Sequence, residues 1–269
     1  VAAGPGRAAV PLPRPRPFPA AEAGRGGKAL APATVSGKQA PVVIRGNGEV
    51  TVSVERLGRE RDPHSAVYLA PKERGRWPAA DVRAARSRCE VVLATTNLAA
   101  RPLPPIGGPG GCGVAAPIEV RALGAVELKP KARLNCTFAA ALYRWITEVV
   151  QPAARRHFGR PVVAVRQLSS YACRRRGGIT RGPVRISEHA FGNAIDIAAF
   201  ILADGRRISV LRDWGSFSAL FDRKAAFLKE VHGKACGIFS TVLGPAANRA
   251  HRNHFHFDLG RGGRYKYCR

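Results

Sequence analysis

Six cysteines, at positions 89, 112, 136, 173, 236 and 268, constrain this chain more than any other feature: their number is even and the first 88 residues have none. No two stand in a CxxC pair, so the paired spacing of a zinc ribbon is missing. Three structural disulfides formed in an oxidising compartment explain the count better. Chain proximity suggests Cys89 with Cys112, Cys136 with Cys173, and Cys236 with Cys268, one of about fifteen connectivities that six cysteines allow. The chain starts with Val and contains no Met, which reads as a product trimmed of its signal segment. The expected location is the periplasm or cell envelope. No run of about 18 apolar residues is present to cross a membrane.

The cysteine-free part differs in composition too. Residues 1–76 are rich in Pro, Gly, Ala and Arg, with runs such as Pro11-Leu12-Pro13-Arg14-Pro15-Arg16-Pro17, and are expected to form a disordered linker. Within them, Val42-Val43-Ile44 and Val50-Thr51-Val52-Ser53-Val54 have strand character around a Gly46-Asn47-Gly48 turn, a candidate hairpin. Near Trp77-Pro78 regular patterns begin, and one domain is expected over 77–269.

In that domain, Pro117 to Leu123 and Ala125 to Leu128 read as strands around Gly124. Ala132 to Phe158 contains a helix with Phe138, Leu142, Trp145, Ile146 and Val149 on one face, which Pro152 should kink or divide. Val162 to Leu168 and Ala194 to Leu202 are strands, and Ser216 to His232 is a second helix carrying Leu220, Phe221, Phe227, Leu228 and Val231. Gly233 should end it, and His254 to Leu259 is a last strand. Helices and strands interleave, so the expected fold is α+β: one compact domain with a mostly antiparallel central sheet flanked by helices.

The formal charge of +26 comes from 44 Lys and Arg against 18 Asp and Glu. It makes an anionic partner worth considering, although the Arg, Ala, Gly and Pro bias of a GC-rich genome would produce the same excess. Specific nucleic-acid binding is not expected: aromatics are 7% of the chain and no stacking platform or nucleic-acid motif is recognisable.

Chemistry concentrates in two segments. In Ser187-Glu188-His189-Ala190-Phe191-Gly192-Asn193-Ala194-Ile195-Asp196-Ile197, a His and an Asp lie seven positions apart across a Gly-Asn turn. In His251-Arg252-Asn253-His254-Phe255-His256-Phe257-Asp258, three of the seven histidines fall within six residues. Strand alternation puts His254, His256 and Asp258 on one face and Phe255, Phe257 and Leu259 on the other. Imidazoles and a carboxylate are suitable ligands for Zn²⁺, and three protein ligands leave the fourth tetrahedral position open to water. The bland alternative is structural or adventitious metal binding by the histidine cluster. His64, His157 and His232 read as solvated.

These motifs, Ser-Glu-His-Ala-x-Gly-Asn-Ala-Ile-Asp-Ile and His-x-x-His-Phe-His-x-Asp, resemble the bacterial extensin-like C-terminal family, over about Trp77 to Cys268. More distantly they resemble the zinc sites of D-Ala-D-Ala carboxypeptidases, murein endopeptidases and the hedgehog domain. The resemblance implies Zn²⁺ as cofactor, held by His189, Asp196 and His256, with His254 a neighbour. It implies that His251 is a general base, although carboxypeptidases of this type use a glutamate there. Ser187 and Asp258 would orient the ligands. Related peptidases carry a Ser-x-Tyr-Arg element, whose nearest match is Ser169-Ser170-Tyr171-Ala172-Cys173-Arg174, with two residues inserted before the arginine. Arg174 is then the candidate for holding an oxyanion or a substrate carboxylate, against the alternative of a solvated basic run through Arg175 and Arg176.

The expected function is a zinc-dependent peptidoglycan peptidase, a hydrolase acting on stem peptides or crosslinks. The alternative is a non-catalytic zinc domain binding the cell wall or another protein. The basic tail is expected to contact an anionic envelope polymer or lipid surface.

Overall fold

The computed structural model describes Val43–Ile44, Val50–Thr51 and residues 77–269 apart from 108–110, 175, 177–185, 216–221 and 261–265. Of the chain's two compact units, Val1–Gln39 lies wholly outside the described residues, and Ala40–Arg269 holds everything that follows. Strands β1 (Val43–Ile44) and β2 (Val50–Thr51) pair antiparallel, where the sequence suggests a hairpin. The remaining expectations for 1–76 fall on residues that are not described.

Helix α1 spans Ala79–Thr95 and is followed by β3 (Leu98–Pro102) and the short pair β4 (Ile106–Gly107) and β5 (Gly113–Val114). Then come β6 (Pro117–Leu123), β7 (Val126–Asn135), α2 (Cys136–Trp145), α3 (Gln151–Phe158) and β8 (Val162–Ser169). Strand β9 (Ala194–Leu202), β10 (Arg207–Ser209), α4 (Val210–Asp213) and α5 (Arg223–Ala235) lead to β11 (Thr241–Leu243), β12 (Phe255–Asp258) and β13 (Tyr267–Cys268). Among the described residues one large sheet runs in the order β13-β11-β12-β9-β8-β7-β6-β3, with β10 also on β9. Its pairs are antiparallel except β7 with β8 and β11 with β13, so the fold is α+β with a mixed, mostly antiparallel sheet.

Asn135 starts α2 by accepting a hydrogen bond from the Phe138 N–H at 2.8 Å, an N-cap that satisfies one free helix donor. The apolar stripe of α2 then buries Phe138, Leu142 and Trp145 completely. Trp145 meets Phe200, Phe239 and Phe257 from the sheet side and donates its indole N–H to Val231 O of α5 at 3.0 Å. Pro152 neither breaks nor sharply divides the helix. A π-helical turn, Ile146–Val150, intervenes between α2 and α3, and the Gln151 N–H bonds Ile146 O five residues back. That wider turn accommodates a residue with no N–H and a ring that collides with the preceding carbonyl in a regular α-helix.

Several expectations need correction. The segment from Ala132 to Asn135 continues β7 and does not begin the helix: Ala132 and Leu134 are buried while Lys131 and Arg133 are exposed, a period-two alternation. Helix α5 passes through Gly233 to Ala235, and the expected start of that helix, with Leu220 and Phe221, lies outside the described residues. Helix α1 and strand β3 have no counterpart in the sequence reading, because α1 buries only Ala85 and Cys89 and carries almost no apolar stripe. His232 is buried against Trp214 and Phe255, and His157 pairs with Glu230 at 2.8 Å, so neither is the solvated ring expected; His64 is not described.

Two of the three disulfides also differ. Cys89 bonds Cys136, tying α1 to the start of α2, and Cys112 bonds Cys173, while Cys236–Cys268 is as expected. Proximity in sequence fails because α1 packs beside α2, which brings Cys89 to a partner 47 positions away and leaves Cys112 for the segment after β8.

Candidate metal centre

The site lies on the sheet face opposite the helices. Phe255 and Phe257 of β12 point into the core, so the alternate residue His256 points to the other side. In the antiparallel register His256 faces Asp196 of β9 directly, which sets the two side chains next to one another. His189 arrives from a 3₁₀ turn, Glu188–Phe191, that closes over the start of β9. The turn ends at Gly192, whose φ of 60° is left-handed. A Cβ there would lie 2.9 Å from the Asn135 N and 3.1 Å from the Leu134 carbonyl carbon, so only glycine lets the turn approach β7 this closely.

Three atoms converge. His189 Nε2 lies 3.2 Å from Asp196 Oδ1 and 3.2 Å from His256 Nδ1, and His256 Nδ1 lies 2.9 Å from Asp196 Oδ1. Ligands held ~2.0–2.1 Å from a tetrahedral zinc stand about 3.3 Å apart, so this triangle is close in size to one face of such a site. The other atoms of each ring have partners that fix the tautomers. His189 Nδ1 donates to Ser170 O at 2.6 Å, and His256 Nε2 donates to Asp258 Oδ2 at 3.1 Å. A neutral His189 therefore turns a bare Nε2 lone pair toward its neighbours, and a neutral His256 does the same with Nδ1. Two nitrogen lone pairs and a carboxylate oxygen this close need a shared cation, either a proton or a metal ion.

With a proton as that cation, burial acts against charge on His256, but Asp196 and Asp258 outweigh it and raise its pKa to about 9. Burial likewise disfavours the Asp196 carboxylate, yet His189 and His256 hold it well below the usual range. The residues fit a zinc ion by donor chemistry, by spacing and by the carboxylate or carbonyl behind each imidazole.

The remaining candidates surround this triangle. His254 Nε2 stands 3.6 Å from Asp196 Oδ1, and its Nδ1 donates to Asn253 Oδ1 at 2.8 Å. His251 lies beyond, its ring 5.9 Å from that of His256 between centroids. Asn248 Oδ1 accepts both the Ala250 N–H and His251 Nδ1–H, which leaves His251 Nε2 as the acceptor. Burial, helped by His254 and His256, lowers the His251 pKa to about 4, so it is neutral at pH 7. Arg174 is half exposed at the rim and reaches Asp196 Oδ2 at 3.3 Å. The two-residue insertion before it does not carry it away from the cluster. Ser187 acts through its backbone, bonding Arg174 O and the Ala190 N–H.

Sequence reasoning missed a buried polar chain behind the site. Asn135, the N-cap of α2, donates to Asn193 Oδ1 at 3.2 Å, and Asn193 donates to Glu188 Oε2 at 2.9 Å. Arg176 meets the other oxygen of Glu188 at 3.4 Å. This chain pins both ends of the turn that carries His189. An Asn preceding the helix is the available signal, and a helix expected from Ala132, four residues before its start at Cys136, hides it.

The fold and site define an α+β domain built around a converged His-Asp-His cluster with a stapled cysteine frame. The sequence model described as extensin-like protein C-terminus matches residues 87–269, and the chain belongs to that family. No curated protein and no solved structure matches it.

Proposed function

We propose that this protein is a zinc-dependent peptidoglycan peptidase that hydrolyses a peptide bond in stem peptides or crosslinks. The observation that carries the proposal is the convergence of His189 Nε2, Asp196 Oδ1 and His256 Nδ1, all within 4.8 Å of one another, with His251 and Arg174 beside them. Those three residues would hold the metal. Zinc bound there would supply a Lewis acid and lower the pKa of a coordinated water toward ~7.

The protein's own groups provide the rest. His251, held in one tautomer by Asn248, offers Nε2 to take the proton of the attacking water and to return it to the leaving amine. The Arg174 guanidinium supplies a forked donor for the developing oxyanion or a substrate carboxylate. Asp258 and Ser170 O hold the two imidazoles in orientation, which removes reorganisation from the chemical step. Disulfides and the resemblance to envelope peptidases support a location in the periplasm or cell envelope.

The test is digestion of purified sacculi by the zinc-loaded protein, followed by mass analysis of the released muropeptides. New peptide ends that fail to appear with His251→Ala support the reading. Unchanged muropeptides at saturating zinc would point instead to a wall-binding or protein-interaction domain.

A further inference from the structure

The sheet face that holds the metal cluster continues across β8, β7, β6 and β3, and helix α2 packs against β6 and β7 from the opposite, core side. Residues that point into the core from these strands include Ile118, Val120, Leu128, Ala132, Leu134 and Val165. Their alternates face outward, and five of those are exposed cations: Arg101, Lys129, Lys131, Arg133 and Arg166; Arg121, at the register shift between Val120 and Ala122, is a sixth exposed cation on β6. Among the described residues of β8, β7, β6 and β3, the acids on this face are Glu119 and Glu127. Glu119 is already engaged by Arg101 at 2.9 Å and Lys131 at 3.4 Å, and Glu127 by Lys129 at 2.9 Å. Among the described residues Arg121, Arg133 and Arg166 form no ion pair. An outward sheet face usually mixes both signs or uses neutral polar residues.

Strand β7, which carries three of these cations, is joined to the cluster through its backbone: the Arg133 main-chain N–H donates to Ser170 Oγ at 3.1 Å, and Ser170 O accepts from the ring of His189. Exposed Leu168 lies between, on β8. From β9 to β3 the face crosses four strand spacings, ~19 Å, the length of about six residues of extended peptide.

We infer that this face is a docking track for a peptide bearing several free carboxylates, laid across β8, β7 and β6 with one end at the metal cluster. The inference deepens the proposed function and rests on it for the identity of the peptide: a wall stem peptide whose carboxylates are not amidated. The unpaired arginines take the carboxylates, and Leu168 packs against an aliphatic part of the chain.

The experiment compares two double variants of equal charge in the full-length, zinc-loaded protein. One is Arg133→Glu with Arg166→Glu on the track. The other is Arg155→Glu with Arg223→Glu, exposed residues of α3 and α5 on the helical side. Binding to sacculi is read by co-sedimentation at low salt, with native sacculi and with sacculi whose carboxyls have been amidated. The track pair is expected to raise the Kd roughly ten-fold and the control pair less than about two-fold, since charge effects are local within a Debye length. Amidation should remove the difference between wild type and the track pair. Equal losses in both pairs, no loss in either, or a difference that survives amidation would each overturn the inference. Release of muropeptides by the wild type reports separately: track-dependent binding without any release defeats the peptidase reading and leaves the docking face standing.

Discussion

Replacing Gly192 by alanine tests whether the turn carrying His189 is held by a close approach that only glycine permits. Gly159, which ends α3, is an internal control: its φ is 66°, near the 60° of Gly192, but a Cβ there meets nothing within 4 Å. Gly159→Ala therefore isolates the cost of a left-handed backbone, about 1 kcal/mol once the lower entropy of the unfolded chain is offset. Gly192→Ala incurs that cost and also drives a methyl to 2.9 Å from the Asn135 N and 3.1 Å from the Leu134 carbonyl carbon. Both are backbone atoms, and the same Asn135 N–H donates to Gly192 O at 2.8 Å, so moving aside breaks a bond at the N-cap of α2. Overpacking of this kind adds about 1–3 kcal/mol. Urea unfolding with the disulfides intact should give a total loss of about 2–4 kcal/mol for Gly192→Ala, with the control near 1. Gly192→Ala should also weaken zinc binding, because the displaced turn carries His189. A Gly192→Ala variant no less stable than Gly159→Ala would refute the reasoning.

Other outcomes follow from the same geometry. His251→Ala should lower kcat on muropeptides by about 10²–10⁴ while leaving zinc content unchanged, as loss of a general base does; a matching loss of zinc would make it a ligand instead. Arg174→Ala should lower kcat/KM by about 10²-fold, in line with removal of one oxyanion donor, with the fold intact by circular dichroism. Burial lowers the His232 pKa to about 4, so protonation favours the unfolded chain. Stability should fall as pH drops from about 6.5 to about 4 and then level off, by at most about 3 kcal/mol. His232→Gln should flatten that part of the pH–stability curve relative to wild type, and an unchanged slope would show that His232 is not its source. Trp145→Phe should cost about 1–3 kcal/mol in urea unfolding, since it removes buried volume and leaves Val231 O without its indole donor.

The site was more legible than the frame around it. The two motifs, sixty positions apart, are assigned to a common centre by their resemblance to known zinc sites; strand alternation by itself puts His254, His256 and Asp258 on one face of β12 and does not say which of them meets His189 and Asp196. Strand β9 is found at the bounds its apolar run suggests, Ala194–Leu202. Helix α1 was illegible for the opposite reason: its sequence alternates Ala and Arg without a stripe, and it is held by Cys89–Cys136 and contact with α2. Disulfide pairing depends on which helices pack together, and chain separation carries none of that information. The Asn135–Asn193–Glu188 chain was equally hidden, since a buried amide network is defined by side chains meeting in space. Pro152 signals a disturbance in the helix, but its relief by a π turn depends on the continuous core beneath Trp145, Val149 and Val150.

The most direct measurement is the zinc content of the wild type beside His189→Ala and His256→Ala, purified identically and analysed by elemental mass spectrometry. A shared ion predicts close to one zinc per wild-type chain and almost none in either variant. Equal zinc in all three would show that these imidazoles do not hold it.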